Sequence, residues 1–120
     1  MQQLTNAEEE VMQYLWELER ATVSQIIEKI PEPKPPHSTI SSIMRILEKK
    51  EVVGHKAYGR TYEYFPLFTK EEYSAGTIGQ FANDFFGGSM RKLVSFLVQR
   101  DDLSINDLEE IRTKLEEKNK

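Results

Sequence analysis

Apolar residues recur along this chain at two spacings, three-to-four and two, and the switches between them divide it into elements. Val11, Met12, Leu15, Trp16 and Leu18 fall on one stripe of a helix over about residues 5–19, with Trp16 expected in the core. Thr5 followed by Glu8 is a capping box, and the acidic run at residues 8–10 reads as a solvated first turn at the positive helix end. A second helix opens at Thr22, with Gln25 closing another capping box; it buries Val23, Ile26, Ile27 and Ile30 and stops at Pro31. The connector PEPKPP over residues 31–36 holds four prolines, so it is a stiffened turn and not helix. A third helix follows, turning Ile40, Ile43 and Leu47 inward. The period then changes to two. Val52-Val53 opens a strand, Tyr62, Tyr64 and Phe65 lie on its return, and Gly59-Arg60 fits a two-residue turn with glycine first. A lone hairpin is marginal in water, so it must pack on the helices.

Beyond the hairpin the spacing is helical again. Thr69 with Glu72 caps a helix over about residues 70–86 that carries Tyr73, Ile78, Phe81, Ala82, Phe85 and Phe86. Gly87-Gly88 breaks it. A further helix runs through Met90, Leu93, Val94, Phe96, Leu97 and Val98, and Asp101-Asp102 interrupts. Ser104 to Asp107 caps the last helix, striped by Ile105, Leu108, Ile111 and Leu115. These three helices are too apolar to cover themselves, and a second copy of the chain is the expected cover. The predicted architecture is mainly α with a small β-hairpin wing. Residues 1–68 form a winged helix-turn-helix, and residues 69–120 form a helical dimerisation domain. The dimer contacts are expected at Phe81, Phe85, Phe86, Leu93, Phe96, Leu97, Leu108, Ile111 and Leu115.

The outer face of the third helix carries the candidate chemistry. At about 100° per residue, Ser38, Ser41, Ser42, Arg45 and Lys49 share a sector of roughly 100°. Serine is poor helix chemistry, so its repetition there suggests a use other than helix stability. Short hydroxyls and arginine reach phosphates and base edges in a major groove. Lys56 and Arg60 stand near the hairpin tip, and His37 is placed to touch a phosphate at the helix start. The whole chain is acidic, with net charge −4 over 120 residues. Residues 34–60 nevertheless hold Lys34, Arg45, Lys49, Lys50, Lys56 and Arg60 against only Glu48 and Glu51. A local patch decides nucleic-acid contact, and this one points to double-stranded DNA.

Other chemistries lack their parts. Cysteine is absent and His37 and His55 are the only histidines, so neither a thiolate site nor HExxH is present; no metal and no cofactor are expected. No serine has an evident histidine beside it, which leaves no nucleophile–base pair and no enzyme. No apolar run is long enough to cross a bilayer, and no secretory signal opens the chain, so a cytoplasmic protein without membrane insertion is expected.

In these residues the chain resembles the penicillinase-repressor family of the BlaI/MecI type over nearly its whole length. The matching segments are TNAEEEVMQYLW, SQIIEKI, STISSIMRILEKK, VVGHK, the GG pair, LVSFLV and DDLSINDLEEI. The resemblance implies a winged-helix repressor that sits as a homodimer on a palindromic operator. It also implies release when a membrane zinc-protease sensor triggers cutting of the C-terminal domain. It places Thr39, Ser41, Ser42 and Arg45 at or near DNA in the third helix, and Lys56, Tyr58 and Arg60 at the backbone in the wing. It places the cleavage point at Phe96-Leu97, where the asparagine of the family's Asn-Phe bond is missing. The family's Arg-Leu pair late in helix three is Ile46-Leu47 here, so no operator sequence transfers. Glu51 stands where glycine often ends that helix, and the cysteines of the copper-responsive branch are absent. Two alternatives remain: a regulator switched by a small ligand near Tyr73 and Phe81, and a protein-interaction module docking through the acidic first helix.

Overall fold

A computed structural model describes residues 3–118. The chain forms two compact units that divide between Gly76 and Thr77. The first contains helices α1 (Asn6–Leu18), α2 (Val23–Lys29) and α3 (His37–Lys49), strands β1 (Val53–Tyr58) and β2 (Thr61–Pro66), and the start of α4 (Lys70–Phe86). The second contains the rest of α4 with α5 (Met90–Gln99) and α6 (Ile105–Lys118). This is the mainly helical, winged helix-turn-helix order expected from the spacing.

The local signals act as predicted. Thr5 with Glu8 and Thr22 with Gln25 close reciprocal capping boxes, and Thr69 with Glu72 makes the same pair of hydrogen bonds. In the first unit the buried stripes of three helices and the hairpin meet. Met12, Leu15, Ile26, Met44, Leu47, Val52 and Val53 are fully enclosed, each contributing about 1.5–3 kcal/mol by burial. Trp16 is only half-buried, against expectation, and packs at the edge of the core. Its indole Nε1 donates to the Phe68 carbonyl at 3.0 Å, and a ring with one polar end settles where that end finds a partner.

Three features bind this unit across long sequence separations. Ala21 pairs with Tyr64 as an isolated antiparallel bridge, through N–H···O bonds of 2.9 and 2.8 Å, giving the hairpin a third edge. The Tyr73 hydroxyl donates to Glu9 at 2.7 Å and accepts from the Leu4 backbone N–H at 3.2 Å. Glu8 is the third. It is buried, not solvated as its place in an acidic run suggested, and Lys50 donates to its two oxygens at 2.7 and 3.0 Å. Burial works to raise the Glu8 carboxyl, but the hydrogen bonds from Lys50 and Thr5 and the lysine charge outweigh it and hold the group below its ordinary value.

The end of α3 is built like a glycine turn without the glycine. The Val52 N–H bonds the Leu47 carbonyl at 2.9 Å and the Glu51 N–H bonds the Glu48 carbonyl at 3.0 Å. Glu51 occupies the left-handed region between them, with φ 64°. The departure from the glycine pattern therefore leaves the turn intact and loads backbone strain onto Glu51.

In the second unit Phe81 contacts Phe85 and Phe86 at ring-centroid distances of 5.0 and 5.9 Å, and Phe86 contacts Phe96 at 5.5 Å. Among the described residues of this unit, Ala82 alone is buried. Leu93, Leu97, Leu108 and Phe86 are half-buried, whereas Phe81, Phe96, Ile111 and Leu115 are exposed, and Phe85 is 71% exposed. No helix of the described residues is long and apolar enough to cross a membrane.

Candidate nucleic-acid interface

The hinge between α2 and α3 sets the candidate face. Pro36 is the residue before α3, and no side chain caps the first turn. His37, Ser38 and Thr39 occupy that turn and are exposed, so the positive end of the helix dipole faces outward. Lys34 in the proline connector turns its ammonium back onto the end of α2, donating to the carbonyls of Ile27, Glu28 and Ile30 at 2.9, 3.2 and 2.7 Å. It works there as a C-terminal cap, because the last carbonyls of a helix lack partners and attract a cation.

Further along α3, Ser42, Arg45 and Lys49 are exposed and Ser41 is half-exposed, opposite the buried Ile40, Met44 and Leu47. Ser41 shares a hydrogen bond with His37 at 3.3 Å, and Arg45 donates to Ser42 at 3.2 Å. Two of the six cations counted in the basic segment are already engaged, Lys34 by α2 and Lys50 by Glu8. Among the described residues, no ion pair engages Arg45, Lys49, Lys56 or Arg60.

The hairpin register sorts the wing residues onto two faces. Lys56 pairs with Glu63, Tyr58 with Thr61, His55 with Tyr64 and Ala57 with Tyr62. Gly59 has φ 64° and Arg60 is not left-handed, as the glycine-first turn requires. Side chains alternate along a strand, so His55, Tyr62 and Tyr64 share one face and Lys56, Tyr58 and Glu63 the other. The first face looks toward α3. Arg60, Tyr62 and Tyr64 line a cleft of about 350 Å³ together with His37, Ser41, Arg45 and the Thr22–Ser24 segment, and no carboxylate lines it. The second face turns away: Lys56 sits with Glu63, Glu19, Arg20 and Phe65 around a separate cleft, its ammonium 5.6 Å from the Tyr58 ring centroid. The structure thus joins His37, Ser41, Arg45 and Arg60, and sets Lys56 and Tyr58 apart from them.

Sequence reasoning passed over Glu48, His55 and Tyr62. His55 Nδ1 donates to the Glu48 carboxylate, and its ring stacks on Tyr62 at 4.1 Å with 14° between planes. Strand parity alone would have put His55 and Tyr62 on the face toward α3. Burial, then the nearby Glu48 charge, raises the Tyr64 phenol despite the opposing influence of Arg45, so it stays neutral. The proposed ligand site near Tyr73 loses that residue, which is buried with its hydroxyl committed to Glu9 and Leu4. No group of three or more His, Cys, Asp or Glu among the described residues could hold a metal ion.

Comparison with known proteins adds to this geometry. The profile of the family described as penicillinase repressor matches residues 4–117. The methicillin resistance regulatory protein MecI of Staphylococcus aureus (strain N315) is 30% identical over 117 residues, 97% of this chain and 95% of that protein. The penicillinase repressor of Bacillus licheniformis is 28% identical over 116 residues, 96% of this chain and 91% of that one. A solved structure, the solution structure of the DNA binding domain of the repressor BlaI, superposes with a TM-score of 0.52 at 26% identity. It covers 59% of this chain and 88% of that one.

Proposed function

The chain belongs to the penicillinase repressor family, and from that footing we propose that it is a cytoplasmic transcriptional repressor that sits as a homodimer on a palindromic operator and blocks the promoter. The family is one of repressors, not of enzymes. The observation that carries the reading is the exposed, acid-free face of α3 beside the wing, in a chain whose net charge is −4. Ser41, Ser42 and Arg45 read base edges; His37, Ser38, Thr39, Lys49, Lys56, Tyr58 and Arg60 hold the backbone and set register. DNA binding rests on residues 1–68 and dimerisation on residues 69–120, through the phenylalanines of α4 and the apolar faces of α5 and α6. Two copies present two recognition helices to the two halves of a dyad site. Release follows cutting of the C-terminal part under the control of a membrane zinc-protease sensor, with Phe96-Leu97 the bond to examine.

The test is selection of bound duplexes from a random pool with the purified full-length protein, followed by affinity at two salt concentrations. A palindromic site whose affinity drops on the order of 10³-fold between about 50 and 200 mM salt supports the repressor. Absence of enrichment, with weak binding to all DNA, overturns it. Co-expression with a zinc-protease sensor and mass analysis of the fragments tests the release route, and an intact chain under induction removes that part.

A further inference from the structure

Glu48, His55 and Tyr62 have no place in the contacts assigned so far, yet they form a connected chain from α3 through β1 to β2. The carboxylate of Glu48 holds the His55 ring through Nδ1, and that ring lies flat against Tyr62 at 4.1 Å. Tyr64, buried and bridged to Ala21, backs both rings, 5.9 Å from His55 and 6.3 Å edge-on to Tyr62. Tyr62 is thus an aromatic side chain 45% open to solvent whose orientation is set by two neighbouring rings, one of them fixed in turn by Glu48. An exposed tyrosine ordinarily keeps its freedom, so the cost of orienting this one is already met before anything binds. It lines the same cleft as Arg45 and Arg60, whose lining holds hydroxyls and cations and no carboxylate. A DNA phosphodiester with its sugar has the matching chemistry: anionic oxygens for the arginines, and an apolar deoxyribose face for the ring.

We propose that this cleft seats one phosphate–sugar unit of the operator backbone, that Tyr62 packs against its sugar, and that Glu48 and His55 are positioning residues acting through Tyr62. The inference rests on the DNA-binding reading above. It adds Tyr62 to the interface and makes the wing-to-helix angle a property of the Glu48–His55 link.

The test uses full-length protein and the selected operator duplex. Tyr62→Ala lowers operator affinity about tenfold, while the slope of log affinity against log salt is unchanged, because no ionic contact is lost. Tyr62→Phe keeps most of the affinity. His55→Ala weakens binding in its own right, and the double variant His55→Ala/Tyr62→Ala binds no worse than Tyr62→Ala; a merely structural histidine would give additive losses. A folded Tyr62→Ala protein with parental affinity overturns the proposal, as do additive losses. A measurement without substitution guards against misfolding: the ring NMR signals of Tyr62 shift on adding operator duplex and stay put with inorganic phosphate alone. Unmoved signals in the presence of bound duplex overturn the proposal, and movement with phosphate alone makes the cleft a simple anion site and overturns the sugar contact. If the parent protein binds no DNA in a salt-dependent way, the repressor reading fails and this inference with it; parental binding with an inert Tyr62 removes the inference alone.

Discussion

Single residues decide how charge is spent in this chain. Lys50 looks like part of a DNA-facing patch, but its ammonium is withdrawn onto the buried Glu8, joining the end of α3 to the start of α1. Lys50→Met therefore strands a buried carboxylate and destabilises the fold by about 1–3 kcal/mol at neutral pH, measurable by urea unfolding. The sign with pH follows from linkage. In the parent the Glu8 carboxyl is held below its ordinary value, so its contribution is full above the ordinary carboxylate range and disappears as pH falls through the lowered value. In the variant burial dominates and the carboxyl rises, so the deficit shrinks in acid; a deficit independent of pH would mean Glu8 is not the cause. Glu51 offers the opposite case. It holds a left-handed conformation at φ 64° in a turn whose hydrogen bonds are otherwise complete. Glu51→Gly removes the strain between Cβ and the following carbonyl and stabilises the protein by about 1 kcal/mol, read as a higher melting temperature. Glu51 was signalled in the chain, standing where the resemblance puts a glycine, but the Lys50–Glu8 pairing was not legible. An acidic triplet does not say which member is buried, because that depends on a partner 42 positions away.

Elements were far easier to read. Capping boxes and prolines act within a few residues, so the starts of α1, α2 and α4, the non-helical connector and the two-residue hairpin turn all appear where local chemistry puts them. The polar face of α3 was equally visible, because helical periodicity maps directly onto sidedness. What the periodicity withheld was the pairing between elements: the Ala21–Tyr64 bridge and the Glu48–His55–Tyr62 stack depend on contacts that no local pattern encodes. Helix and wing accordingly make different predictions. Arg45→Ala on α3 costs about 1–3 kcal/mol of specific binding and relaxes selection at one operator position. Lys56→Ala on the outer face of the wing weakens all duplexes alike and lowers the salt slope by about 1. Repeating the duplex selection with each variant separates them; a uniform loss for Arg45→Ala would demote it to a phosphate clamp.

At the scale of the whole molecule the two units contrast. The first encloses a core, and the second has Ala82 as its only buried described residue while Phe85 and Ile105 are 71% and 78% exposed. Phe85→Asp is a discriminating change for that reason. On an uncovered chain a charge at so open a site is close to neutral. Against a second copy it must be desolvated. We expect the parent at twice the chain mass in sedimentation, the variant at one, and a matching loss of operator affinity; a variant that stays dimeric places the contact elsewhere. The first unit has a further consequence, for how the protein is made. Its hydrogen bond from Leu4 to the Tyr73 hydroxyl spans 69 positions, and Glu9 shares that hydroxyl. A nascent chain emerges N-terminus first, so α1 waits for the opening turns of α4 before its last partner arrives. A chain truncated within the wing would lack this tie altogether, and the finished head becomes available only when the helices that follow it are already being synthesised.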